Sequence, residues 1–89
     1  DIRQEVMATV DRTKDSFLDC VLRGVFTVPG DGMIDYGRFM QALADKNYEG
    51  WVIVEAEQDP AKANPFEYAV MGYKALQHAA LAAGYSIID

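Results

Sequence analysis

The sequence predicts an α/β fold, on three observations. The stretch Gly50-Trp51-Val52-Ile53-Val54-Glu55-Ala56-Glu57-Gln58-Asp59-Pro60 is a short apolar run with three consecutive β-branched residues, bounded by a glycine before and Asp-Pro after, as a buried parallel strand reads. Residues 25 to 56 spell strand, turn, helix, strand, a βαβ unit whose strands are expected to be parallel with a right-handed crossover. A long capped helix follows from residue 64.

Taken in order, residues 3 to 23 are helical but interrupted. Val6, Met7 and Val10 form a first apolar stripe, and Asp11 to Asp15 is polar throughout. Ser16 restarts the helix, with Asp19 three residues on as the capping-box acid and Phe17, Leu18, Val21 and Leu22 as its apolar face. Two short helices or one bent helix both satisfy this pattern. Gly24 ends it, and Val25 to Val28 form a brief strand stopped by Pro29 and the turn residues Gly30, Asp31 and Gly32.

Asp35 then caps a helix whose apolar face is Tyr36, Phe39, Met40, Leu43 and Ala44, with Lys46 and Asn47 at its C-terminus. In the last helix Asn64 is the cap, Pro65 occupies the first turn and Glu67 completes a capping box. Phe66, Ala69, Val70, Tyr73, Leu76, Ala80 and Leu81 form the expected buried face, and Gly84 ends it. The tail 85–89 has the composition of a short strand.

Composition narrows the function classes. The 89 residues suit one small domain and 51% of them are hydrophobic, yet a chain this short builds a thin core. Two strands with their helices cannot cover both faces of a parallel sheet, so the unit is expected to complete itself against residues outside this sequence or against another chain. A net charge of −6, with eight scattered Lys and Arg, argues against a nucleic-acid partner. The single Cys20 forms no internal disulfide and reads as a packed small hydrophobe, which makes a reducing, cytoplasmic setting the expectation. Runs long enough to cross a bilayer are absent, so no membrane partner is expected.

Two stretches offer candidate sites. Gly30 to Phe39 resembles half of an EF-hand calcium loop, but the ligand positions fall on Thr27 and Pro29, and Arg38 stands where a bidentate Glu belongs, repelling the ion. A tight glycine turn into a capped helix is the reading that remains. In the 50–60 stretch, alternation puts Trp51, Ile53 and Glu55 on one face and Val52, Val54 and Ala56 on the other. With the second face against helices, Glu55 points inward near the strand's C-terminal end, where α/β sheets bind ligands, and a buried carboxylate there must be paired, protonated or metal-bound. Glu57 continues that face and Asp59 begins a loop. His78 has no second His or Cys to cluster with and reads as a surface residue of its helix.

The segments Val25-Phe26-Thr27-Val28-Pro29-Gly30-Asp31-Gly32 with Ile34-Asp35, and Tyr48 through Pro60, resemble the C-terminal part of the xylose-isomerase-like TIM-barrel superfamily of sugar isomerases and epimerases. Glu55-Ala56-Glu57-Gln58-Asp59-Pro60 followed by Ala61-Lys62-Ala63-Asn64-Pro65 is most similar to the inosose dehydratase family of myo-inositol catabolism. The resemblance covers residues 1 to about 80.

It implies that 1–89 is the C-terminal piece of one (β/α)8 barrel domain, strands seven and eight with their helices. It also implies a divalent ion, manganese or cobalt, held by two Glu, one Asp and one His from different strands, of which only the Glu of the last strand has a match here, Glu55. Asp1-Ile2-Arg3 resembles the end of the His-x-Lys-Asp segment after strand six, so Arg3, together with Glu57, is expected at the substrate site. The implied reaction is loss of water from a keto-inositol, with an acid and a base that the resemblance leaves unassigned. An isomerase or epimerase on the same barrel, or a non-catalytic partner-binding domain, are the alternatives, and the implied partners are the substrate, the rest of the barrel and a second copy of the protein. Taken alone, the 89 residues are expected to be inactive.

Overall fold

The computed structural model of the chain describes residues 1–88 and contains four helices: α1 (Gln4–Met7), α2 (Phe17–Arg23), α3 (Tyr36–Asp45) and α4 (Pro65–Ala82). The interrupted N-terminal pattern resolves into two separate helices. α2 starts where the capping box places it, with Asp19 N–H donating to Ser16 Oγ at 3.1 Å and Ser16 N–H donating to Asp19 Oδ2 at 2.9 Å. Gly24 ends it in the left-handed region at φ 87°. Asp35 caps α3 through the Arg38 N–H (3.1 Å), and Asn64 caps α4 through the Glu67 N–H (3.1 Å) with Pro65 in the first turn.

The core lies between α3 and α4. Met40, Leu76, Ala79 and Ala80 are buried there, flanked by the half-buried Tyr36, Leu43, Val54, Ala83 and Tyr85. Burying Met40 and Leu76 contributes about 1.5–3 kcal/mol each. The face of α4 that packs is therefore Gly72, Leu76, Ala79 and Ala80, which shares Leu76 and Ala80 with the expected one, whereas Phe66 is 77% exposed, and Tyr73 and Leu81 are also exposed. The reason is size. Gly72 and the two alanines let neighbours approach the helix axis, and Val28, Pro29 and Val54 pack directly over Gly72. On α2 only Val21 is buried, and Phe17, Leu18 and Leu22 stay exposed, with the Phe17 ring against Phe26 at 5.3 Å between centroids.

The expected βαβ unit is not formed among the described residues. Residues 51–56 form no strand and have no ladder partner, and residues 25–27 pair instead with 1–3, antiparallel, through a single bridge between Ile2 and Phe26. Thr27 N–H donates to Asp1 O (3.0 Å) and Arg3 N–H to Val25 O (2.8 Å). A parallel strand is stabilised by a paired neighbour and by cover on both faces of its sheet, and these segments find no partner in each other. Nor do residues 85–88 form a strand, and Asp89, the end of the expected tail strand, lies outside the described residues. The radius of gyration is 14.6 Å, against about 12 Å for a compact domain of this length, in keeping with a thin core.

Candidate functional site

Alternation along 51–56 holds even without a ladder. Val52, Val54 and Ala56 line a cleft of about 360 Å³ against Ala63, Tyr68 and Ala69, so this is the face turned to α4. Trp51 and Ile53 stay 85% and 76% exposed, and Glu55 is exposed with them. Glu55 is thus not the buried carboxylate expected from the sequence, because no further layer covers that face among the described residues. Glu57 is exposed as well, and neither acid makes a hydrogen bond or ion pair among the described residues.

Asp59 starts a turn. Its Oδ1 accepts from Ala61 N–H at 2.9 Å and its carbonyl from Lys62 and Ala63 N–H. His78 is exposed on α4 and Cys20 is half-buried with a free thiol.

Arg3 is the centre of the polar structure. Its guanidinium donates to Gly24 O (2.9 Å) and to Asp31 Oδ2 (2.9 Å), reaches the Tyr68 hydroxyl at 3.4 Å, and lies 5.9 Å from the Tyr68 ring centroid. Thr27, buried to 1% exposure within an otherwise apolar run, donates to the same Asp31 oxygen at 2.7 Å and faces the Gln58 amide nitrogen at 3.4 Å. Lys62 Nζ donates to Leu22 O at 2.6 Å. Residues 1–34 are in this way docked on the corner 58–68 that follows Glu55. Arg3, Gly24, Gln58, Asp59 and Lys62 line a second cleft of about 200 Å³, and neither Glu55 nor Glu57 lines either cleft.

The turn 29–34 is held by Asp1. Its Oδ1 accepts from Ile34 N–H (3.0 Å) and its Oδ2 from Gly30 N–H (3.2 Å). Asp31 is paired with Arg3, and the glycine turn runs straight into the Asp35 cap of α3. Thr27, Asp31, Gln58 and Tyr68 went unremarked as polar partners in the sequence; the signal available was a threonine inside an apolar run with an acid four residues on.

A family model for the xylose isomerase-like TIM barrel matches residues 7–79. The chain belongs to that family. Its relatives include the "Inosose dehydratase" of Yersinia enterocolitica, 55% identical over 80 residues, which are 90% of this chain and 27% of the relative. The "Inosose dehydratase" of Erwinia tasmaniensis is 55% identical over 82 residues, covering 91% of this chain and 28% of the relative. That of Clostridium tetani is 55% identical over 80 residues, with shares of 90% and 27%. The chain therefore spans little more than a quarter of the length of these relatives.

No group of three or more His, Cys, Asp or Glu side chains is brought together among the described residues, so these residues do not hold an ion by themselves. None of the helices is long and apolar enough to cross a membrane.

Proposed function

We propose that the chain is the C-terminal part of a single-domain barrel enzyme that removes water from 2-keto-myo-inositol, a carbon–oxygen lyase of inositol catabolism. The observation that carries this reading is the 55% identity, across 90% of the chain, to relatives named inosose dehydratase. The exposed side chains of Trp51, Ile53 and Phe17 are in keeping with a remainder of the barrel covering them, and argue against a self-contained partner-binding domain.

Residues 51–56 are proposed as the last strand of the barrel, with α4 as its helix. Residues 25–28, paired antiparallel with 1–3, do not suit a stave of a parallel barrel, and we assign 1–34 to a connection over the strand ends. Glu55, at the end of the 51–56 run on the face away from α4, would contribute one carboxylate oxygen to a divalent ion, manganese or cobalt, whose other donors lie outside this chain. When bound, such an ion polarises a ketone. Arg3 and Glu57 are assigned to the substrate side, Arg3 held in place by Asp31 and Tyr68. The acid and the base of the elimination belong to the rest of the barrel, so the 89 residues alone are proposed to be inactive. The setting is proposed to be cytoplasmic.

The test is a chimera in which this chain replaces the matching quarter of the Yersinia relative. Incubated with 2-keto-myo-inositol, it is expected to yield the absorbing dione product. A chimera that folds, as read by circular dichroism, and forms no dione but returns an epimer would overturn the dehydratase assignment in favour of an isomerase or epimerase on the same barrel.

A further inference from the structure

We propose that Thr27 is a positioning residue, which acts through Asp31 and Gln58 to hold Arg3 and the Gln58 amide beside the segment that carries Glu55. The inference rests on the dehydratase reading for its kinetic consequence, though not for its geometry. Four segments meet at this point: Arg3 from the N-terminal stretch, Thr27 from the extended run, Asp31 from the glycine turn and Gln58 from the end of the Glu55 run.

Donor and acceptor roles along the chain of bonds are fixed by chemistry. Arg3 can only donate and the Asp31 carboxylate only accepts. Thr27 gives its one hydroxyl proton to Asp31 Oδ2 at 2.7 Å, which leaves its oxygen as the acceptor for Gln58 Nε2 at 3.4 Å. Asp31 Oδ2 takes both the Thr27 proton and the Arg3 NH2 group at 2.9 Å, so loss of the hydroxyl perturbs both ends.

The amide orientation of Gln58 follows from this sequence of bonds. Its NH2 faces Thr27, and its carbonyl oxygen has no protein donor among the described residues, leaving an acceptor suited to a polyol hydroxyl. Gln58 lies three residues after Glu55, about 10 Å along an extended chain, within the span of a small sugar-like substrate. A fully buried threonine in an apolar run, with one polar neighbour four residues on and the other thirty-one residues away, is otherwise a costly choice over valine.

The experiment compares Thr27→Val, Thr27→Ser and Gln58→Leu in the Yersinia chimera, with Arg and Gln side chains labelled with ¹⁵N. Thr27→Val is expected to raise KM at least fivefold with kcat within threefold, and to shift the Gln58 amide and Arg3 guanidinium resonances. Thr27→Ser is expected to restore both. Gln58→Leu, at a half-buried position, is expected to raise KM similarly, with the double variant no worse than either single one. Unmoved Gln58 and Arg3 resonances in Thr27→Val would overturn the relay whether or not the chimera turns over. Moved resonances with unchanged KM, or Thr27→Ser as impaired as Thr27→Val, would overturn the positioning role. An inactive parent chimera would instead sink the dehydratase reading, and the resonances alone would then decide the relay.

Discussion

The Asp1 carboxylate fills the space that a side chain on Gly32 would need. A Cβ there would lie 2.5 Å from Asp1 Oδ1 and 2.4 Å from the Ile2 carbonyl oxygen, which itself accepts from Met33 N–H at 2.8 Å. Because one of the obstructing atoms is backbone, the clash cannot be relieved by a rotamer change. Gly32→Ala is expected to destabilise the turn by about 1–3 kcal/mol. Urea unfolding measures this, and an unchanged midpoint would show that the turn and the Asp1 segment separate freely.

Gly72 sets a different balance. In a helix interior, alanine is favoured over glycine by about 1 kcal/mol. Here the added Cβ would meet Val28 Cβ at 3.0 Å, Pro29 Cδ at 3.3 Å and Val54 Cγ1 at 3.3 Å, all on segments packed over α4. Overpacking of about 1–3 kcal/mol exceeds the propensity gain. Gly72→Ala is thus expected to lower the thermal midpoint and Gly72→Val to lower it further. A higher midpoint for Gly72→Ala would mean that 28–29 and 54 move away from the helix at little cost.

These contacts also explain what the sequence made legible. Helix starts were readable because each cap is local: Ser16 with Asp19, Asp35 with Arg38 and Asn64 with Glu67 are three residues apart. The partner of Val25–Val28 was not, since β-branched residues encode an extended conformation but neither the direction nor the identity of a neighbour, and Asp1–Arg3 lies more than twenty residues away. Apolar spacing marked Phe66 and Leu81 as core, yet the close approach of neighbours to α4 is governed by the small Gly72, Ala79 and Ala80. For the site, alternation correctly separated Glu55 from the helix-facing Val54. Of the Arg3–Asp31–Thr27–Gln58 convergence, only the Thr27–Asp31 pair, four residues apart, leaves a local pattern; Arg3 and Gln58 reach it from more than twenty residues away.

The capping box of α2 makes its stability depend on acid. Hydrogen bonds from the Ser16 backbone N–H, then its hydroxyl, hold the Asp19 carboxyl below its ordinary value of 3.8. A lowered folded-state value means that Asp19 contributes stability above about pH 4, lost as pH falls from there through the folded value. Helicity from α2 is expected to decline over that acidic range, and Asp19→Asn to be less helical at pH 7 with a flatter acid titration. Ser16→Ala removes the other half of the box and is expected to cost about 1 kcal/mol. Circular dichroism against pH checks both, and parallel curves for wild type and Asp19→Asn would remove the box from the account.

Glu55 and Glu57 are both exposed and two residues apart, so composition does not separate their proposed roles. Their position is expected to, because Glu55 directly follows Val54, whose side chain is packed against the α3–α4 core. Glu57 lies further from that anchor, next to Gln58. Rigid backbone suits a metal ligand, since coordination distances tolerate only small errors. In the Yersinia chimera, Glu55→Gln is expected to weaken manganese or cobalt retention by at least about tenfold and to abolish turnover. Glu57→Gln is expected to keep the metal and to raise KM for the keto-inositol. Metal analysis after dialysis, paired with turnover on the same samples, distinguishes the two, and undiminished metal content and activity in Glu55→Gln would exclude Glu55 from the site.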